Sequence, residues 1–249
     1  MSENRNEEWF AEWFDTPWYH VLYGNRNDAE AEAFIKRLFS FLGDGWGREP
    51  AVLDLACGAG RHARVFESLG CRVTGFDLSA QSIEKAREIG PSSIRYVQGD
   101  MRTMQLNEHF DLVANLFTSF GYFDEVTDNA AVVNAVHRHL TTNGVFVLDF
   151  LNAPLVVERL VRTETLERGG IHFNILRYAT DNHIVKEIRF EADNRSHFYT
   201  EKVQALSPAT LHTMLTQQSF VVKNVFGDYN LTTFAPQTSP RVILVAQKL

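Results

Sequence analysis

Residues 52–63 read VLDLACGAGRHA, and this stretch decides the fold. A strand, AVLDLA, runs into Gly58-Ala59-Gly60, and a helix, RHARVFESLG, begins at once. Glycines at such a turn let the backbone approach a ligand closely, and the helix N-terminus presents unpaired N–H groups. Gly58-x-Gly60-x-x-Ala63 also satisfies the dinucleotide fingerprint G-x-G-x-x-G/A. Taken alone, the spacing does not separate one nucleotide-like cofactor from another.

Working outward, CRVTGFD reads as a strand and SAQSIEKAREIG as a helix. Ser79 is its N-cap, and Gly90 and Pro91 are its stop signals. SIRYVQGD and FDLVANLF are strands, Val126 to Leu140 is a helix burying Val133, Val136 and Leu140, and Asn143-Gly144 turns into GVFVLDF. A βαβαβ run with short connections implies a parallel sheet covered on both faces. IHFNILRY, HIVKEIRFE and HFYTEKVQAL then alternate as strands joined by the turn dipeptides Asp181-Asn182 and Asp193-Asn194. They predict a small antiparallel β insert. Ser207 and Pro208 open a further helix, and FVVKNVFGDY and RVILVAQK close the chain as an antiparallel pair.

Upstream, three of the four tryptophans, Trp9, Trp13 and Trp18, fall in the first 18 residues among Phe10, Phe14, Tyr19 and Tyr23. The i, i+4 pairs Trp9/Trp13 and Phe10/Phe14 predict one aromatic helix face. A second helix from about Asp28 to Phe41 places Ala33, Phe34, Leu38 and Phe41 on one side. The chain of 249 residues thus divides into a helical cap (1–50), a cofactor-type core (51–152), an insert or lid (165–206) and a C-terminal helix with hairpin (207–249), all one domain.

Composition excludes several classes. Apolar residues make up 45%, enough for a sizeable core, and 24 basic against 31 acidic residues give a formal charge of −7. That balance argues against a dedicated nucleic-acid binder, whose phosphate-tracking surface is usually basic. No apolar run reaches the roughly 20 residues of a membrane span, and MSENRNEEWF lacks the apolar core of a secretory signal. Cys57 and Cys71 have no metal-type spacing. A cytoplasmic protein with reduced thiols and no metal is the expectation, and the sequence leaves the oligomeric state open.

Three carboxylates sharpen the reading. Asp54, Asp77 and Asp100 lie near the ends of the first, second and third strands, spaced evenly by 23 residues. Ligands of open parallel sheets bind outside the carboxyl ends of the strands. Asp77 suits the two hydroxyls of a ribose, since an ionised carboxylate accepts two hydrogen bonds at once, and Asp100 suits the exocyclic amine of a base. Asp54 would repel a pyrophosphate but favours a cationic ligand. The alternative is that all three are helix caps or turn residues.

VLDLACGAGRHA, FDLS at 76–79, GDM at 99–101 and FDLVANLFTSFGYF at 110–123 resemble successive motifs of class I S-adenosylmethionine-dependent methyltransferases. The resemblance implies a doubly wound, mostly parallel, Rossmann-like seven-stranded α/β sheet with an antiparallel last strand. It also implies S-adenosylmethionine as cofactor and S-adenosylhomocysteine as product. It places the loop Ala56, Cys57, Gly58 and Gly60 on the methionine moiety, Asp54 on its ammonium directly or through water, and Asp77 on the ribose. Leu78 packs on adenine, Asp100 takes its amine, the Met101 backbone meets a ring nitrogen, and Asn115 and Leu116 border the methionine end. One departure is Ala56, where the motif usually has glycine; it costs little unless the backbone there needs a positive φ. WFDTPWYHVLYGNRNDAEAEAF resembles a cap segment of a bacterial small-molecule subgroup, which would close Tyr19, Tyr23 and Arg26 over the cofactor. The alternative is an aromatic helix filling a hydrophobic seam.

The chemistry implied is methyl transfer to nitrogen or oxygen of a small-molecule acceptor, an in-line displacement governed by alignment. A base is optional for an amine and useful for a hydroxyl; His20, Tyr122 and Arg177 are the acceptor-side candidates, with Tyr178, Arg189 and Tyr199 also on the insert. Two other readings stand beside it: an NAD-dependent oxidoreductase resting on Gly58, Gly60, Ala63 and Asp77, and a non-catalytic partner or sensor that keeps the cofactor pocket.

Overall fold

The computed structural model describes residues 8–24, 28–43 and 49–249. Three helices come first: α1 (Trp9–Trp13), α2 (Pro17–Tyr23) and α3 (Asp28–Leu42). The alternating region follows as β1 (Ala51–Leu55), α4 (Arg61–Ser68), β2 (Arg72–Asp77), α5 (Ala80–Ile89), β3 (Arg95–Gln98), β4 (Phe110–Asn115), α6 (Val126–His139) and β5 (Leu140–Leu151). After the short α7 (Ala153–Glu158) come β6 (Thr163–Arg168), β7 (Ile171–Ala179), β8 (His183–Ala192) and β9 (Arg195–Gln204). The chain ends with α8 (Pro208–Gln217), β10 (Phe220–Phe226) and β11 (Arg241–Lys248).

Seven strands form one sheet in the order β10-β11-β5-β4-β1-β2-β3. β1 pairs in parallel with both β2 and β4, and β11 runs antiparallel to both β5 and β10. The expected doubly wound sheet with an antiparallel last strand is therefore observed. Every residue of β1 is buried, as a central strand covered on both faces requires. Leu53 and Leu55 join Phe146, Phe150, Val133, Val136 and Leu215 on the α6/α8 side. Val52 joins Phe34, Leu38, Phe66 and Ile83 on the α3/α4/α5 side. A fully buried side chain such as Phe66 contributes about 1.5–3 kcal/mol. The chain moves from β3 across β1 to β4, so the switch in strand order lies between β1 and β4, at the carboxyl ends of both.

The insert is a separate four-stranded antiparallel sheet, β6-β7-β8-β9. Its first strand, Thr163–Arg168, was not expected: no residue of TETLER is buried, so no apolar alternation marked it. The stripe of α3 also differs. Ala31, Phe34, Ile35 and Leu38 are buried, at the i, i+3, i+4, i+7 spacing, whereas Ala33 and Phe41 are exposed. The aromatic face of α1 divides between two cores. Phe10 packs into the main core, and Trp13 packs with Leu22, Phe173, Ile175, Ile188 and Phe190 in a third core shared by cap and insert. Asp15 docks this roof on α5, accepting from the Ser79 hydroxyl at 2.7 Å and the Gln81 N–H at 2.9 Å. No helix among the described residues is long and apolar enough to cross a membrane.

Candidate active site

The β1–α4 turn is built on left-handed backbone. Ala56, Gly58 and Gly60 have φ of 61°, 54° and 75°. Ala56 therefore does occupy a positive-φ position, where a Cβ costs about 1–2 kcal/mol. Its N–H and that of Cys57 donate to the Phe76 carbonyl at 2.7 and 3.1 Å, which fixes the turn against β2. Gly60 is needed twice over, because a Cβ there would lie 2.3 Å from the Tyr96 hydroxyl oxygen.

Asp77 pins the same turn from the end of β2. Its Oδ2 accepts from the Gly58 N–H at 2.7 Å and its Oδ1 from the Ser79 N–H at 2.9 Å. A carboxylate has about four acceptor positions, so these two bonds do not exhaust it. Burial pushes the Asp77 carboxyl above its ordinary range, opposed by those N–H groups.

Beneath the turn, Asp54 is buried and its Oδ2 has no hydrogen-bond partner among the described residues. Burial pushes its carboxyl up to about 7, with the neighbouring Asp77 adding to the rise and the Ala63 N–H opposing it. Asn115 is also buried; its Nδ2 donates to the carbonyls of Leu55 and Ser119 at 3.0 and 3.1 Å, and its Oδ1 lacks a partner. Leu55 and Asn115 are paired across β1 and β4. Two buried acceptors without donors are costly unless a ligand or water satisfies them. A cationic donor such as an ammonium fits that need, and a phosphate does not.

At the β3 end a second cluster of charges meets the cavity. Asp100 borders the cavity, but its acceptor positions are engaged by Arg102: Nε at 3.1 and 2.9 Å from the two oxygens, Nη2 at 2.6 Å from Oδ2, and the backbone N–H at 2.8 Å from Oδ1. The fork of Arg102 also takes both oxygens of Glu8, each at 2.6 Å, and reaches Asp128 at 3.1 Å. Hydrogen bonds donated to Asp100 and Glu8 hold the guanidinium above its ordinary range. Geometrically, Asp100 ties the sheet to the cap before it reads any base.

The cavity over these strand ends has a volume of about 410 Å³, within the roughly 300–1,000 Å³ of small-molecule sites. Ala56, Cys57, Gly58, Asp77, Leu78, Asp100, Met101 and Leu116 line it from below, and Phe14, Tyr19, His20 and Tyr23 from the cap. Asp54, Gly60 and Asn115 lie beneath the lining rather than in it. Tyr122 borders the cavity among Trp9, Phe10 and Phe14, with ring centroids 5.2–6.4 Å away. Arg177 is not at the cavity: it pairs with Glu164 on the neighbouring strand of the insert. Arg189 is two-thirds exposed and pairs with Glu187. Arg26 lies outside the described residues. Arg61, Phe117 and Phe123 line the cavity although no role was read for them, as does His62, and Arg61, His62 and Phe117 cluster at the head of α4. Burial pushes the Cys57 thiol well up, so it is not a nucleophile.

Comparison with known proteins gives a consistent result. A family described as "Methyltransferase domain" matches residues 52–144. The chain is 27% identical over 161 residues to dTDP-3-amino-3,4,6-trideoxy-alpha-D-glucopyranose N,N-dimethyltransferase of Streptomyces venezuelae, covering 54% of this chain and 68% of that enzyme. It is 31% identical over 99 residues to dTDP-3-amino-3,6-dideoxy-alpha-D-glucopyranose N,N-dimethyltransferase of Streptomyces fradiae, spanning 40% of this chain and 38% of that one. Among solved structures, an S-adenosylmethionine-dependent methyltransferase from Clostridium acetobutylicum superposes with a TM-score of 0.78 at 15% identity, covering 93% of this chain and 96% of that one. CalS10, an amino pentose methyltransferase from Micromonospora echinaspora with the cofactor bound, superposes with a TM-score of 0.72 at 23% identity over 94% and 98%. These two likenesses concern the fold.

Proposed function

We propose that the chain, whose residues 52–144 match a methyltransferase-domain family and whose fold is that of solved S-adenosylmethionine-dependent methyltransferases, transfers a methyl group from S-adenosylmethionine to a nitrogen or oxygen of a small-molecule acceptor. The observation that carries this reading is the pair Asp54 and Asp77: one carboxyl buried beneath the turn with an oxygen that lacks a donor, the other pinning the turn at the end of β2. That donor set suits a cationic nucleoside and repels a pyrophosphate, which counts against the NAD reading. Residues 1–249 are proposed to form one domain of cap, core, insert and C-terminal hairpin.

The bound cofactor would supply a methyl group on a sulfonium, an activated leaving group. Asp54 and the Asn115 carbonyl oxygen would hold the ammonium, Asp77 the ribose hydroxyls, and Leu78 with the Met101 backbone the adenine, since Asp100 is engaged by Arg102. The turn from Ala56 to Gly60 fixes the amino-acid tail. Tyr19, Tyr23 and Phe14 roof the cavity and exclude water, and alignment of this kind supplies about 7–11 kcal/mol. His20 and Tyr122 line the cavity and would be the side chains to accept the acceptor's proton. The amino-sugar N,N-dimethyltransferases among the relatives support an amine of small size as the acceptor class.

The test is calorimetry with S-adenosylhomocysteine followed by a transfer assay over small amines and alcohols. Tight binding, weakened at least about tenfold in Asp77→Ala through loss of two charge-assisted hydrogen bonds, and turnover with an amine are expected. Absence of binding overturns the proposal. Binding without turnover on any acceptor favours the sensor reading.

A further inference from the structure

Asp149 is a fully buried carboxylate on β5 that lines no cavity and takes no part in the chemistry above. Its Oδ2 accepts from the backbone N–H of Phe117 at 2.8 Å and from the Tyr229 hydroxyl at 3.2 Å. Its Oδ1 accepts from Arg241 Nε at 2.8 Å, with Nη2 of the same guanidinium 2.7 Å away. Its main-chain carbonyl accepts from the Thr118 N–H at 3.1 Å. Residues from β5, β11 and the β10–β11 connection thus converge on two consecutive residues just beyond β4.

Those two residues are strained. Phe117 and Thr118 have φ of 58° and 62°, and neither is glycine. Such pairs persist only where the surroundings over-determine them. The ring of Phe117 stacks on Tyr229 (5.0 Å between centroids, 24° between planes), lies 5.1 Å from His62, and carries the Arg61 guanidinium 4.5 Å above it. Arg61 and His62 are the first residues of α4, directly after the turn proposed to hold the amino-acid tail. Phe117 is therefore the cavity wall at the tail end, far along the sheet from Asp100.

We propose that Asp149 is a positioning residue: it holds the Phe117–Thr118 backbone in its left-handed form and so sets the wall that encloses the amino-acid tail of the cofactor. This rests on the methyltransferase reading of the cavity. Oδ2 is the lever. In Asp149→Asn the amide NH2 must face either the Arg241 guanidinium or the Phe117 N–H. Repulsion from the cation is stronger, so the amide turns its NH2 to Phe117 and releases that N–H while the packing volume is kept.

The test compares two ligands on the full chain, S-adenosylhomocysteine and adenosine, which lacks the tail. Asp149→Asn is expected to weaken S-adenosylhomocysteine about tenfold and leave adenosine within about twofold, the scale of one lost buried hydrogen bond acting at one end of the site. Phe117→Ala should give the same selective loss, and the double variant no further loss, because both act on one wall. Equal weakening of both ligands, no change in either, or additive losses overturn the proposal. If Asp149→Asn does not fold, Tyr229→Phe removes one donor to the same oxygen and keeps the stacked ring. A selective two- to threefold loss, roughly that of a weak neutral hydrogen bond, is then expected, and an unchanged ratio of affinities overturns the idea. Wild-type protein that binds neither ligand refutes the cofactor reading instead, so the two failures are distinguishable.

Discussion

If Asp54 holds the ammonium as proposed, cofactor affinity becomes a function of pH, with a slope that can be worked out in advance. Burial, reinforced by Asp77 nearby, raises its carboxyl from an ordinary 3.8 to about 7. Ionising it in the free protein at that depth costs about 4 kcal/mol, at roughly 1.4 kcal/mol per pH unit. A cationic ammonium beside it favours the ionised form, so below pH 7 binding must release one proton. Affinity for S-adenosylhomocysteine therefore rises about tenfold per pH unit up to about pH 7 and levels off above it. Folding stability of the free protein runs the other way. Between 3.8 and about 7 the unfolded chain has lost this proton while the native protein keeps it, so stability falls with rising pH across that window and is flat beyond it. Asp54→Asn removes both dependences: free protein more stable at pH 8, and binding weaker there and insensitive to pH. His20 and His62 also border the cavity, and the variant separates their contribution. Calorimetry in two buffers of different ionisation heat counts the protons at pH 6, and thermal denaturation follows stability. Zero proton release at pH 6, or the same slope in Asp54→Asn, refutes the reasoning.

Ala56→Gly relieves a Cβ at φ 61° and, after about 0.5–1 kcal/mol of glycine entropy, should stabilise the chain by about 0.5–1 kcal/mol, a Tm rise of about 2 °C in a domain of this size; a lower Tm refutes the strain argument. Gly60→Ala sets a Cβ 2.3 Å from the Tyr96 hydroxyl oxygen at φ 75°, so a loss of about 2–3 kcal/mol is expected from denaturant unfolding. Adding Tyr96→Phe should recover part of that loss, and no recovery would place the cost in the backbone alone. Arg102→Leu strands Asp100, Glu8 and Asp128 without their shared cation. The group is partly solvated, so about 1–2 kcal/mol is expected, together with faster proteolysis within residues 8–24; an unchanged digestion pattern would show that the cap is held by its apolar contacts.

Where burial was two-sided or strictly periodic, the fold was legible. β1 and β5 carry apolar runs flanked by turn residues, and the helices between strands begin and end on recognisable caps such as Ser79 and Ser207. β6 was invisible because none of its residues is buried. The face of α3 was misplaced because Ala31, Phe34, Ile35 and Leu38 compete with a second plausible stripe through Ala33 and Phe41. The site was legible where it follows chain order: Asp77 and the turn from Ala56 to Gly60 lie where the motifs put them. It was not legible where distant segments meet. Nothing in the sequence pairs Arg102 with Glu8 and Asp128, or joins Asp149 to Phe117 and Arg241, because those partners are 26 to 94 residues apart. Arg177 was a candidate on residue type alone, and strand pairing with Glu164 takes it away from the cavity.

The division of the apolar core suits the proposed function, in which one part of the site would hold the cofactor and another the acceptor. Two of the three clusters belong to the faces of the seven-stranded sheet, and they fix the strand ends from which Asp54, Asp77 and Asn115 rise. The third is formed by the cap and the insert: Trp13 and Leu22 from the helices, Phe173, Ile175, Ile188 and Phe190 from the second sheet. Glu201 on the insert binds the cap through the Trp13 indole N–H at 2.8 Å and the Tyr23 hydroxyl at 2.7 Å. The roof thus has its own core and its own polar ties, and it meets the sheet through Phe10 in the main core and through polar contacts such as Asp15 on α5, Glu8 on Arg102 and Gln204 on the Phe123 carbonyl. On the proposed reading, a substitution within the cap–insert core, such as Ile175→Ala, is expected to alter acceptor preference more than S-adenosylhomocysteine affinity, whereas a substitution in the sheet face, such as Leu53→Ala, is expected to weaken both; equal loss of S-adenosylhomocysteine affinity in the two variants would refute the division.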